Sequence, residues 1–251
     1  GKAIPAGKVQ VIQNLEGGIV SEIFIREGQI VQKGDVLLRL DDTRFMSNKG
    51  ETEADRMALA ARVERLTAEA EGKPLQISEA ISSVQPRLAE DEMALHEARL
   101  RRLKSEQSVL GEQLRQKQQE LAEFKSKQAQ YSSSLSLIQQ ELNMSKPLVE
   151  SGAISPVEIL RLQRSAVEMR GSMDATRLAI PRAQSAISEI ERRIEESELA
   201  FRSDAFKELN DARTELQKIT ATSVAIQDRV SRTTVVSPVN GIIKQMKVNT
   251  I

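Results

Sequence analysis

The hydrophobic positions of this chain change their period twice. Near the start they alternate with polar residues, first at Ile19, Ile23 and Ile25, then at Val36, Leu38 and Leu40. Gly17-Gly18, Gly28 and Gly34-Asp35 fall between them and supply turns. Short strands punctuated in this way predict a small flattened barrel or sandwich over residues 1–42. From Thr43 the spacing becomes helical, with Met57, Leu59, Val63, Leu66 and Ala70 on one stripe of a helix over 44–71. The segment "EGKPLQIS" (71–78) ends it, because Gly72 and Pro74 are stop signals. The break over 72–86 is expected to be irregular. Near the end the pattern returns to β: Val235-Val236, a Ser-Pro turn, Asn240-Gly241, then Ile242, Ile243, Met246 and Val248, over residues 233–251.

Between these ends, residues 43–232 predict a helical region. From Pro86 to Asn143 there is no Pro, and Gly111 is the only Gly. A heptad frame fits a helix over 86–143. Leu110, Phe124, Tyr131 and Ile138 form one rail, and Leu114, Leu121, Leu135 and Leu142 the other, interrupted by Lys117 and Gln128. The segment "SKPLVESGAISPVE" (145–158) ends this helix and predicts a tip over 144–156. Ser155 suits an N-cap, Pro156 the first helical position, and Glu158 completes a capping box. Gly152 serves the turn with a positive φ. A second long helix follows over 156–230, seamed by Ile159, Leu162, Met169, Met173, Ile180, Ile187, Ile190, Ile194 and Phe201. From Leu209 a shifted frame (Leu216, Ile219, Ile226, Val230) implies a heptad skip. Pro181 should bend this helix.

At 1.5 Å per residue the outgoing helix spans ~85 Å and the returning one ~110 Å. A short turn makes two such helices antiparallel neighbours, and the segment 44–71 can cover the excess. The chain therefore goes out and comes back, and the two β segments are most simply halves of one domain split by the insertion.

Composition narrows the function. Charged residues form 29% of the chain and aromatics 2%, too few large side chains to fill one big globule, so extended helices with narrow seams are expected. Lys plus Arg (36) balance Asp plus Glu (36), which gives no sign of a nucleic-acid partner. With no Cys and one His, disulfides, thiolate nucleophiles and most zinc geometries are excluded. "EGGI" and "ESGAI" are too short and glycine-poor to cradle nucleotide, and no catalytic constellation appears, so the chain is not expected to be an enzyme. No run of 18 apolar residues occurs. The chain begins in a strand-like segment and stops at Thr250-Ile251 in mid-pattern, which predicts flanking parts in a longer protein.

Two segments, "VIQNLEGGIVSEIFIREGQIVQKGDVLLRLDDT" (11–43) and "VVSPVNGII" (235–243), with a helical hairpin between them, resemble the periplasmic adaptor (membrane fusion) proteins of the haemolysin-secretion type. The resemblance implies an α+β fold: a long antiparallel α-helical coiled-coil hairpin inserted into a split lipoyl-like β-domain. It implies an N-terminal membrane anchor and a C-terminal β-barrel outside this sequence, and a place in the periplasm, anchored in the bacterial inner membrane. The implied partners are an inner-membrane ABC transporter, a TolC-like outer-membrane channel, further copies of the chain in a ring of six, and a secreted protein cargo. The alternatives are a coiled-coil scaffold or tether, which would need neither β segment, and a lipoyl or biotinyl carrier, which would need a tip lysine. Aligning "LDDTR" (40–44) with the carrier tip puts Arg44 at the lysine position, and Arg cannot form the amide, so no cofactor is expected. Lys49, Lys247 and the tripeptide "MKV" (246–248) do not fall at that tip.

For the tip the resemblance implies a contact pattern of Arg, then Leu four residues on, then Ser or Thr seven beyond. Leu148 and Ser155 match, while Met144 stands at the Arg position, leaving Lys146 or Arg161 as the substitute cation. The expected channel-binding set is therefore Leu148, Ser155, Lys146, Gly152 and Arg161, against the plainer alternative that Leu148 and Ser155 only cap helix ends. His96 falls on the seam as a core residue. The charge runs "EARLRRLKSE" (97–106) and "IERRIEESE" (190–198) are either solvated faces or contacts to neighbouring copies.

Overall fold

The first pairing to explain is between residues 200 apart in sequence: Val36 stands opposite Val236. A computed structural model describes residues 9–247. The ends of both β segments, including Val248 of the "MKV" tripeptide, lie outside that range. Strands β1 (Val20–Ile23), β2 (Ile30–Val31) and β3 (Val36–Leu40) precede the helices, and β4 (Thr234–Val236) and β5 (Gly241–Ile242) follow them. They form two antiparallel sheets, β1-β3-β4 and β2-β5. Each sheet draws strands from both sides of the insertion, so neither β segment is complete without the other.

Further backbone bonds stitch the halves together. Gly34 N–H donates to Ser237 O (2.8 Å), Ser237 N–H to Asp35 O (2.9 Å), and Leu40 N–H to Thr233 O (2.9 Å). The core under the sheets is Ile25, Val31 and Leu37, with Val235, Ile243 and Met246 packed against it. Alternation at Val36, Leu38 and Leu40 predicted a different inward set. The buried residues of β3 are Leu37 and Leu40, because the register shifts between Val36 and Leu38 against β4. An irregularity of this kind exchanges the two faces of a strand. Of the alternating Ile19, Ile23 and Ile25, only Ile25 is buried.

Helix α1 (Thr43–Glu71) leaves directly from β3. Asp41 shapes that departure: its Oδ1 accepts from Thr43 N–H (3.0 Å) and Thr43 Oγ1–H (2.6 Å). Arg44 lies in the first turn of α1, where a helix replaces the exposed hairpin tip that a carrier lysine would need. Gly72 ends the helix in the left-handed region (φ 67°). The expected irregular break holds one helical turn, α2 (Glu79–Ser82), anchored by buried Ile81. Helix α3 runs from Pro86 to Glu150 and α4 from Pro156 to Arg232, through Pro181.

The chain divides into two units, one of the described residues up to Met93 together with those from Ala205, the other Ala94–Asp204. In the first unit α1 packs on α4 through Leu66, Leu209 and Ala212, flanked by Val63 and Ala70. Arg65, in α1, is buried. It donates to Glu69 one turn on (3.1 Å) and to Glu92 of α3 (2.5 Å). Burial alone would lower the pKa of this guanidinium, but its bonds to Glu92 and the charge of Glu69 outweigh that and raise it.

The second unit is a helical hairpin. Its α3 seam follows 3-4 spacing without a break, half-buried at Leu103, Gln107, Leu110, Leu114, Lys117, Leu121 and onward to Ser145 and Val149. The α4 seam runs likewise from Ile159 to Phe201. Arg99 of α3 lies over the Phe201 ring of α4, 5.8 Å from its centroid. His96 is buried. The runs 97–106 and 190–198 are mostly exposed; Arg101 pairs with Glu97 within the first, and Arg193 of the second with Glu189 just before it.

Candidate functional site at the hairpin turn

The turn is residues 151–155, shorter than the tip predicted over 144–156. Helix α3 continues to Glu150 and takes Pro147 inside it. Two things extend it. The seam offers two more positions, Ser145 and Val149, and the chain has a better terminator ahead in Gly152. Gly152 has φ 76°. Its N–H donates to Val149 O (3.0 Å) while Ala153 N–H donates to Leu148 O (2.9 Å). This pair of bonds is the Schellman closure, which satisfies carbonyls that a helix end otherwise leaves open. Leu148 O also accepts from Ile154 N–H (3.3 Å) and Ser151 Oγ–H (3.0 Å). The backbone of Leu148 is thus fixed while its side chain, off the seam, stays 44% exposed.

Ser155 starts α4 with only half of the expected capping box. Its Oγ accepts from Val157 N–H at 3.3 Å, and its carbonyl accepts from Glu158 N–H at 2.9 Å. The Glu158 carboxylate turns away, toward Arg161 at 3.5 Å. Leu148, Gly152 and Ser155 therefore belong to one closed turn. Lys146 and Arg161 lie outside it, exposed on α3 and α4 respectively, and neither touches Leu148 among the described contacts. Sequence reasoning missed the apolar side chains that accompany Leu148 here: Met144, Val157 and Leu160 are all exposed. The signal was available in the heptad frame, which puts all of them off the seam.

Among the described residues no group of His, Asp and Glu is placed to hold a metal ion, and no helix is long and apolar enough to cross a membrane. Sheets that pair strands across an inserted helical hairpin define the class as a split β-domain bearing a long helical hairpin. The family described as "AprE, long alpha-helical hairpin" matches residues 46–229, and the chain belongs to it, as a membrane fusion protein of the haemolysin-secretion type. The type I secretion system membrane fusion protein PrsE of Rhizobium meliloti (strain 1021) is 28% identical over 100% of this chain. The chain spans 58% of that protein's length. Leukotoxin secretion protein D of a Pasteurella haemolytica-like species (strain 5943B) is 23% identical over 100% of this chain and 54% of its own length. The soluble domain of LipC, a membrane fusion protein of a type I secretion system, shares the fold with a TM-score of 0.83 at 22% identity, covering 90% of this chain and 87% of that one.

Proposed function

We propose that this chain is the hairpin and split β-domain of a periplasmic adaptor that bridges an inner-membrane ABC exporter and a TolC-like outer-membrane channel. It stands as several copies in a ring, anchored in the inner membrane by parts of the full-length protein, and passes a secreted protein cargo without catalysis of its own. The hairpin turn docks on the channel. The observation that carries this reading is Leu148: an apolar side chain left exposed, off the seam, where the Schellman closure fixes its backbone. Polar residues lie near it in sequence (Ser145, Lys146, Glu150, Ser151), and binding energy concentrates in a few apolar anchors rather than spreading evenly. Lys146 and Arg161 supply positive charge on either side of the turn, in place of the Arg that the family pattern has where this chain has Met144.

Secretion from cells carrying Leu148→Asp tests the docking. The variant should lose secretion while helix content and expression stay as in the parent. Leu121→Asp, a seam change, should disturb the hairpin itself. Normal secretion by Leu148→Asp would show that Leu148 only closes a helix. Unfolding as severe as that of Leu121→Asp would make it structural.

A further inference from the structure

The segment that leads into the β-domain is fastened by polar contacts rather than by apolar packing. Residues 9–19, ahead of β1, form no helix or strand. Their apolar side chains do not hold them down: Val9, Val11 and Leu15 are 68–87% exposed. The segment is fixed instead at Asn14 and Glu16. The Asn14 side-chain N–H donates to the carbonyl of Arg232 (2.8 Å), the last residue of α4, and its Oδ1 accepts from Glu16 N–H (2.8 Å). The Glu16 carboxylate then lies 3.5 Å from Arg232 and 3.8 Å from Arg229. It is better covered than either arginine.

The sign of these charges is informative. A helix C-terminus carries negative partial charge, which favours cations and disfavours anions. Arg229 and Arg232 suit the end of α4; Glu16 does not, unless the arginines offset the helix. Its place is therefore explained by those two side chains and by Asn14, which takes up a carbonyl that the helix end leaves open. Ion pairs with partners this exposed contribute little singly. Together with the Asn14 bond they hold the segment reversibly. None of the contacts uses the buried core of Ile25, Val31 and Leu37, so they can part while the sheets stay paired. Directly after them stand Gly17 (φ 63°) and Gly18 (φ 134°), in backbone regions that other residues rarely adopt. A Cβ on Gly17 would meet nothing within 4 Å, so conformation rather than space calls for glycine there. Two glycines in sequence also make a free joint once the contacts open.

We propose that Asn14 and Glu16 form a releasable latch on the last turn of α4. While it is closed, a pull on the chain ahead of Asn14 passes into α4 at Arg229 and Arg232. When it is open, the same pull runs through Gly17-Gly18 into β1 first. The latch thus decides whether movement of the preceding chain reaches α4 directly. This deepens the adaptor reading above and rests on it for a membrane anchor that precedes the segment.

The sequence has no cysteine, so spin labels can be placed at chosen sites. Val11 and Gln217 are both exposed, and Gln217 lies about 22 Å along α4 from Arg232. In the full-length protein in lipid nanodiscs, carrying only Val11→Cys and Gln217→Cys, the distances between labels should be narrowly distributed. Asn14→Ala with Glu16→Ala should at least double the width. Glu16→Ala alone should widen it, as should Arg229→Ala with Arg232→Ala, and combining these should add nothing. A reference pair, Ser21→Cys in β1 with Gln217→Cys, should stay narrow throughout. In cells, the variant with both Asn14→Ala and Glu16→Ala should secrete less than half as much as the parent from an equal amount of protein. An unchanged width, additive effects, or widening of the reference pair as well would overturn the latch. Widened distances with normal secretion would overturn its part in transmission. The distances need neither exporter nor channel, so they stand apart from the docking test. Normal secretion by Leu148→Asp would reject the docking and keep the latch; unchanged distances with blocked secretion in Leu148→Asp would do the opposite.

Discussion

The three-helix region around Leu66 and the two-helix hairpin use the same apolar residues and reach different depths of burial. In the first, Ala61, Leu66 and Ala205 are fully buried and Leu209 nearly so. In the second, the best-covered seam residues are Ala183, Leu135 and Ile190, still 6–8% exposed, and most of the seam is only half-buried. A pair of helices shields a seam residue from one side; a third helix closes the other. Stability therefore concentrates where α1 joins, and the hairpin is a lightly stabilised element whose outward faces remain available.

The sharpest test of that contrast is the buried charge cluster. Arg65→Ala leaves Glu69, buried with it, without its guanidinium, and should cost about 3–5 kcal/mol in denaturant unfolding. A loss below about 1 kcal/mol would mean that the cluster is solvated and the comparison overstated. Next come matched truncations. Leu209→Ala should cost about 3–4 kcal/mol and Leu135→Ala about 2, since a shallower site loses less area and leaves less cavity. Equal losses would break the distinction. Smaller again is Ser155→Ala, at about 0.5 kcal/mol, the low end of N-cap values, because its bond to Val157 N–H is long. Amide exchange confined to the first turn of α4 should register it.

The smallest effect is a titration. The side-chain and backbone bonds from Thr43 hold the Asp41 carboxyl below its ordinary value. A group lowered on folding stabilises the fold above its unfolded pKa, and that contribution disappears as pH falls through the folded value. Asp41→Asn should therefore be slightly less stable than the parent at neutral pH and equal to it in acid, which flattens the acid dependence. Thermal unfolding of both proteins across acid pH measures it.

The parts legible in the sequence were those carried by long periods or strong punctuation. Helical spacing over 44–71, closed by Gly72, marked the 29 residues of α1 to within one. The Ser155-Pro156 pair marked the start of α4. What escaped was decided by competition between signals. Pro147 is a breaker on its own, yet the seam continuing to Val149 and the Schellman closure at Gly152 outweigh it, so α3 runs seven residues past its expected end. Leu37 escaped because a register irregularity is invisible to a period-two count. Arg65 and Glu69, one helical turn apart, carry no mark of burial in the sequence; that Glu92 completes the cluster from α3 is a tertiary fact. At the turn, the identity of Leu148, Gly152 and Ser155 was readable from residue type and spacing. The exposure of Met144, Val157 and Leu160 needed the seam to be traced to its end.

The strand pairing across the insertion also sets an order of events. Strand β3 can accept β4, and β2 can accept β5, only after every residue of the helices has been made and brought back. Closing so long a loop is entropically costly, and contacts between distant residues form late. The early strands must therefore wait, with Val31 and Leu37 uncovered, while local helical hydrogen bonds form first. The returning helices act as the device that delivers the missing strands. A lesion that slows hairpin formation would then be felt first as a delay in sealing the β-domain, and as a longer exposure of its unpaired edges to aggregation.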